Sequence, residues 1–391
     1  AKASRDMFLG PDGNPDSEAS QYSYRAVGVP GTVAGLSLAL EKYGTISLKR
    51  ALRPAIELAD KGFRVDPYLR ATLISARKRL EASPASMAIF FKPDGSPYEV
   101  GEILVQKDLA KSLRAIASRG RDGFYKGETA KKIAADMAAH GGLITTDDLA
   151  AYRAAVREPI HGTYRGYEIS SMPPPSSGGV HLVQMLNILE GFPKGFSGKG
   201  TPETISLMAE CMKPAYADRS KYLGDPDFVK VPVAGIVSKK YADTLRGRIV
   251  PGKPVPSVDI LPGNPLPYES DQTTHYSVAD RFGNAVAVTY TLNFNFGTGI
   301  TAAGTGILLN DEMDDFSSKP DSPNGFGLLG GSANAIEPGK RMLSCMTPTI
   351  VFKNGEVFLV TGSPGGSRII TTTLQIVLNV SDHGMNIADA T

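Results

Sequence analysis

The stretch from Thr273 to Asn293 restricts the fold most, because its side chains fix how it must pair with itself. Residues His275 to Asp280 and Asn284 to Leu292 alternate apolar residues with small or polar ones, the period of a strand. Between them, Arg281-Phe282-Gly283 fits a three-residue hairpin loop with glycine in the left-handed position. That loop pairs Asp280 with Asn284 and sets Tyr276 and Val278 across from Val288 and Val286, while Ser277, Ala279, Ala285 and Ala287 share the other face. A two-residue loop would put Tyr276 opposite Thr289 and mix the faces, since a slip of one residue turns every side chain over. Extended toward its open end, the favoured register places Thr273 across from Thr291, with Asn293 just beyond. Spacing alone favours a purely structural reading of this pair, because threonine forms strands well and Thr–Thr pairs stabilise sheets.

The rest of the chain divides into two textures. The first half reads as mainly helical. Leu109 to Ile116 follows Asp108, an expected N-cap, and places its apolar residues on one face; Thr129 to Ala139 and Glu203 to Tyr222 look similar. Gly166 to Ser170 reads as a strand running into the turn Met172-Pro173-Pro174-Pro175, after which Ser176-Ser177-Gly178-Gly179 opens a helix through Glu190. Proline and glycine thicken from Val250 to Pro267, which marks a loop and a natural place for a chain break. Beyond it strands predominate, with Asn354-Gly355 turning Thr349–Lys353 back onto Glu356–Thr361. No internal repeat or low-complexity tract is present. Helix-rich segments followed by a strand-rich part predict a layered α+β fold.

Composition excludes several classes. A formal charge of +2 over 391 residues gives no reason to expect nucleic acid or an anionic membrane as partner. Two cysteines, Cys211 and Cys345, allow at most one disulfide, so no disulfide framework holds the fold. No run approaches the ~18 apolar residues of a membrane span. The chain opens at Ala1 without an initiator methionine and stops at Asn386 to Thr391, which reads as the start of an uncompleted helix. It is expected to be trimmed at both ends, so the lack of a targeting segment carries no meaning. His140, His161, His181 and His383 are scattered singly, and Cys211 on its expected helix reads as a small packed residue.

Several long motifs, in order along nearly the whole chain, resemble the bacterial γ-glutamyltranspeptidases. They are Thr273-Thr274-His275-Tyr276-Ser277 with Val288 to Asn293, Pro173-Pro174-Pro175-Ser176-Ser177-Gly178-Gly179, Leu309 to Phe316, and Thr361-Gly362-Ser363-Pro364-Gly365-Gly366-Ser367-Arg368. The resemblance implies the four-layer αββα sandwich of N-terminal nucleophile hydrolases. It also implies a precursor that cuts itself between Gln272 and Thr273, giving a heterodimer of a large subunit (residues 1–272) and a small one (273–391) intertwined as one domain. Thr273 is then the nucleophile, and its freed α-amine, titrating near ~8, accepts the hydroxyl proton. Thr291 supports it by a hydrogen bond. Glu312 and Asp315, with Asn293, match positions that hold the substrate ammonium; Ser344 and Cys345 match the carboxylate seat; Gly365 and Gly366 match the oxyanion-hole N–H donors. The family does not use the histidine at His275 as a base.

Implied substrates are glutathione and other γ-glutamyl compounds, with water, amino acids or peptides as acceptors, no cofactor or metal, and a periplasmic or secreted location. Three departures from the family pattern stand out. Cys345 replaces a serine and brings a weaker donor, Phe326 stands where a lid tyrosine is frequent, and the family's carboxylate-binding arginine would lie upstream of Ala1. The rival readings are a related cephalosporin acylase taking a glutaryl group and a non-catalytic homologue.

Overall fold

The computed structural model describes residues 2–260, 273–320 and 322–391. Gln272, on the amino side of the expected cut, lies outside the described residues, as does the loop beyond Ile260. By its contacts the chain forms two compact units, each drawn from separate stretches of sequence. The first is built mainly from Asp16–Val156 and Leu292–Asp314; the second from Ser4–Pro15, Arg157–Thr291 and Asp315–Thr391.

The first unit is chiefly helical, with helices such as Thr32–Tyr43, Leu48–Lys61, Lys107–Arg119 and Gly127–Ala139. Its larger core gathers Phe124, Tyr125, Ile133, Met137 and Leu149 around Ile300, Ala302 and Leu309. Each buried Phe, Ile, Leu or Met side chain among them contributes roughly 1.5–3 kcal/mol of transfer energy. Tyr125 keeps its polar end satisfied by donating to Pro30 O at 2.6 Å. Asp108 is not the N-cap. The helix starts at Lys107 with Gln106 before it, so Asp108 falls in the first turn. There it pairs with Lys111 at 2.9 Å and still faces the positive end of the helix dipole.

The second unit holds the strands expected from the sequence. In chain order they and their helices are β1 (Ile160–Tyr164), β2 (Tyr167–Ser171), α1 (Gly178–Glu190), α2 (Pro202–Tyr222), α3 (Lys239–Arg246), β3 (Thr274–Ala279), β4 (Ala285–Tyr290), β5 (Thr349–Lys353), β6 (Glu356–Thr361) and α4 (Ile369–Ser381). The sheet runs β6-β5-β2-β1 and is antiparallel throughout. The β5–β6 turn uses positive φ at both Asn354 and Gly355, the geometry that matches strand twist. Helix α1 is buried along nearly its whole length and packs on β1, β2, α2, α3 and α4, which makes it the centre of this unit. The β3–β4 hairpin lies against β5 and β6. Mixed helix and sheet is therefore what the chain forms. Helix α4 departs from the strand texture read there: Ile369, Ile370, Thr371, Thr372 and Thr373 are β-branched, yet Ile369, Ile370, Leu374, Val377 and Leu378 are buried in helical form. Burial has overridden a propensity difference of only tenths of a kcal/mol per residue.

Helix α1 also buries a polar chain. Gln184 Nε2 donates to Asp218 Oδ2 at 2.7 Å, so its Oε1 faces His181 Nδ1, also at 2.7 Å. The network assigns the imidazole proton to Nδ1 and leaves Nε2 buried without a partner. Burial pushes His181 down to about 4. The unfolded chain therefore takes up this proton near the ordinary value of about 6.5, well before the folded chain does. Its contribution is present above that pH and is lost as pH falls toward about 4. A His181→Gln variant is expected to lose about 2 kcal/mol less stability than the parent between about pH 7 and pH 5. Denaturant melts at the two pH values check this, and parallel losses in both proteins would refute it.

Candidate active site

The β3–β4 ladder pairs Tyr276 with Val288, Ser277 with Ala287 and Val278 with Val286. Asp280 N donates to Asn284 O at 3.0 Å across the loop, and Gly283 takes a φ of 84°. This is the register expected from the side chains. The ladder ends at the Thr274–Tyr290 pair, so Thr273 and Thr291 are the next residues on the two strands. Both are half-buried. Tyr276, Val278 and Val286, on the opposite face, stay exposed.

Side chains alternate along a strand, so His275 shares the Thr273 face. Its Nδ1 lies 2.8 Å from Thr289 Oγ1 and its Nε2 lies 3.0 Å from Ser277 Oγ. Partial burial holds it below its ordinary value, so near neutral pH it is an uncharged spacer. The ring presses on Gly362, where a Cβ would come within 2.3 Å of its Cε1. The face that carries Thr273 is thereby set against the segment leading to Gly365 and Gly366.

Those two glycines turn the chain from β6 into α4 with φ of 127° and 51°. Arg368 N donates to Gly365 O at 2.8 Å, closing the turn immediately before Ile369. Backbone N–H groups at a helix start have no partner within the helix and carry its positive end, which suits a developing oxyanion.

Ser344 and Cys345 are held from behind by the Pro-rich turn. Ser344 N donates to Pro175 O at 3.0 Å, and Ser177 N and Oγ both donate to Ser344 O, at 2.9 and 2.8 Å. Ser176 Oγ donates to Met346 O at 2.7 Å. Burial pushes the Cys345 thiol up, the nearby Arg219 charge pulls it down, and Asp315 pushes it up. Both charges therefore act on the Cys345 thiol. Both cysteines are free, and Cys211 is fully buried in α2. Asp315 accepts from Asn324 Nδ2 at 3.2 Å through its side chain and from Asn334 Nδ2 at 2.8 Å through its carbonyl. Asn324 Oδ1 in turn accepts from the N–H groups of Phe326 and Leu328, both at 3.0 Å. Phe326 is buried. The sequence motifs include Ser177 without giving it a role, and they do not single out Arg219 or Asn324. The Pro323-Asn324-Gly325 run was the one available signal, since asparagine after proline favours a turn closed by its own side chain.

Asn293 and Glu312 belong to the first unit. Asn293 takes a φ of 79°, is buried, and donates to Asp311 O at 3.1 Å. Asp311 Oδ1 accepts from Phe294 N at 3.1 Å and Arg79 stands 3.6 Å from Oδ2, yet burial still pushes this carboxyl well above the usual range. Glu312 is half-buried, with its N–H given to Asn310 Oδ1 at 3.1 Å. Within the second unit, the hairpin that ends at Thr273 and Thr291 packs on β5 and β6, and β6 leads through Gly362 to the Gly365–Gly366 turn.

The family model described as Gamma-glutamyltranspeptidase matches residues 1–391. A glutathione hydrolase proenzyme of Escherichia coli K12 is 58% identical over 392 residues, covering 100% of this chain and 67% of its own length. The crystal structure of Helicobacter pylori gamma-glutamyltranspeptidase is 46% identical with a TM-score of 0.66, over 67% of this chain and 75% of that one. The cephalosporin acylase of Bacillus halodurans superposes with a TM-score of 0.79 at 30% identity, over 94% of this chain and 65% of that one. With a family model spanning every residue and a relative of this identity, the chain belongs to the gamma-glutamyltranspeptidase family.

Proposed function

We propose that this protein is a γ-glutamyl acyltransferase and glutathione hydrolase that activates itself by cutting between Gln272 and Thr273. The observation that carries the reading is the placement of the Thr273 strand face, through His275, against the loop that ends in Gly365 and Gly366. Thr273 Oγ1 attacks the γ-glutamyl carbonyl while its own α-amine takes the proton. The tetrahedral oxygen is held by the N–H groups of Gly365 and Gly366, and as the C–N bond breaks the Thr273 ammonium passes its proton to the departing amine. Water or the amine of an amino acid or peptide then attacks the γ-glutamyl-threonine ester. Thr291 orients the nucleophile by a hydrogen bond. Asp315, Glu312 and Asn293 take the substrate ammonium, and Ser344 and Cys345 take its α-carboxylate. A thiol is a poorer donor than a hydroxyl, so Cys345 weakens this last contact.

On this reading residues 1–272 form the large subunit and 273–391 the small one, joined in a four-layer αββα sandwich. The protein works in the periplasm or outside the cell, on glutathione and related γ-glutamyl compounds. Among the described residues no helix is long and apolar enough to cross a membrane.

The rival is a glutaryl acylase, whose substrate lacks the ammonium that Asp315 recognises. Expected for the self-cleaved enzyme is a preference for γ-glutamyl over glutaryl anilide of on the order of 100-fold in kcat/KM, the scale of leaving one buried polar group without its partner. Anilide release read side by side decides. A preference for the glutaryl compound would transfer the protein to the acylases.

A further inference from the structure

Arg219, in the last turn of α2, is only 3% exposed. Other arginines of this unit that are largely buried have carboxylate partners: Arg157 pairs with Asp225 and Asp227, and Arg165 with Asp382. Arg219 forms no such pair among the described residues. Its Nε donates to Ser177 Oγ at 3.0 Å, and its charge acts on the Cys345 thiol. It also lines a cavity of about 140 Å³ with Tyr216, Ser220, Leu328 and Leu329. A guanidinium withdrawn from water with no counter-charge is costly, and an anion beside it offsets that cost.

Ser177 links this charge to the carboxylate seat. Its hydroxyl accepts from Arg219 and donates to Ser344 O, so the Pro173–Gly179 turn, the last turn of α2 and the Ser344–Cys345 segment meet at one buried oxygen. The seat itself has lost a hydroxyl at Cys345, which leaves more of the anion's stabilisation to the charge behind it.

We propose that Arg219 is a specificity-determining positioning residue, adding through Ser177 and Cys345 a positive charge behind the seat that receives the donor α-carboxylate. The proposal rests on the γ-glutamyl reading above. It is tested on the self-cleaved enzyme with L-γ-glutamyl-p-nitroanilide and with 4-aminobutanoyl-p-nitroanilide, which has the same ammonium and amide but no α-carboxylate. Arg219→Gln is expected to raise KM for the first substrate ~10- to 100-fold with kcat little changed, the scale of a lost charge-assisted contact. The preference for the first substrate over the second should shrink by the same factor. Arg219→Lys should recover part of the loss, and Ser177→Ala should show a smaller KM defect. If Arg219→Gln fails to fold and self-cleave, the KM values of Arg219→Lys and Ser177→Ala decide. Loss of kcat at unchanged KM, an equal loss on both anilides, or no loss in any variant overturns the proposal. A parent enzyme that splits but turns over no γ-glutamyl anilide overturns the functional reading instead.

Discussion

Thr273→Ala is expected to leave the protein as a single band on a denaturing gel, with γ-glutamyl hydrolysis reduced on the order of 10⁴- to 10⁶-fold. Two losses coincide in this variant. The hydroxyl that attacks the preceding carbonyl in the precursor is gone, so no new N-terminus forms. The hydroxyl that attacks substrate in the mature enzyme is gone with it. The fold has little reason to fail, because Thr273 is half-buried and precedes the first paired residue of β3. Thr273→Ser keeps both a hydroxyl and, after cleavage, an α-amine. It should split slowly and retain measurable turnover, which separates loss of chemistry from loss of structure. Sequencing the smaller band of the parent gives an independent check. A first residue other than Thr273, or a Thr273→Ala chain that still splits, would remove the nucleophile assigned here.

What could be read in advance follows from how local each feature is. The β3–β4 register was legible because a period of two, a loop glycine and an apolar pair at Tyr276 and Val288 all agree within a short stretch. The Asn354-Gly355 turn was legible for the same reason. Helix α4 was not, because its β-branched run resembles a strand until the burial of both faces is known. The partners of the candidate site were hidden for a different reason. Ser177 and Ser344 are far apart in sequence, as are Ser177 and Arg219, and no local pattern announces a hydroxyl shared between them. His275 stands inside the motif, but its place against Gly362 depends on a packing contact across the unit. The motifs thus named the glycines and the threonine, while the contacts that hold them came only from the fold.

Gly365→Ala is expected to lower kcat by about 10²- to 10³-fold with KM nearly unchanged, the scale of removing one oxyanion donor. The cause would be the direction of the backbone and not crowding. A Cβ at Gly365 would meet nothing closer than Arg368 Cβ at 3.5 Å, an ordinary contact. Its φ of 127°, however, is one that an L side chain rarely adopts. Alanine would rotate the peptide toward a common conformation at a cost of roughly 1–3 kcal/mol and carry the adjoining N–H groups off the attacking site. On the proposed reading ground-state binding falls to Asp315, Ser344 and Cys345, which lie on other segments, so KM should hold while the tetrahedral oxygen loses its donors. Self-cleavage passes through a similar oxyanion and should slow in parallel, visible as precursor persisting after purification. A Gly365→Ala enzyme with kcat within about threefold of the parent would show that these N–H groups are not the oxyanion donors.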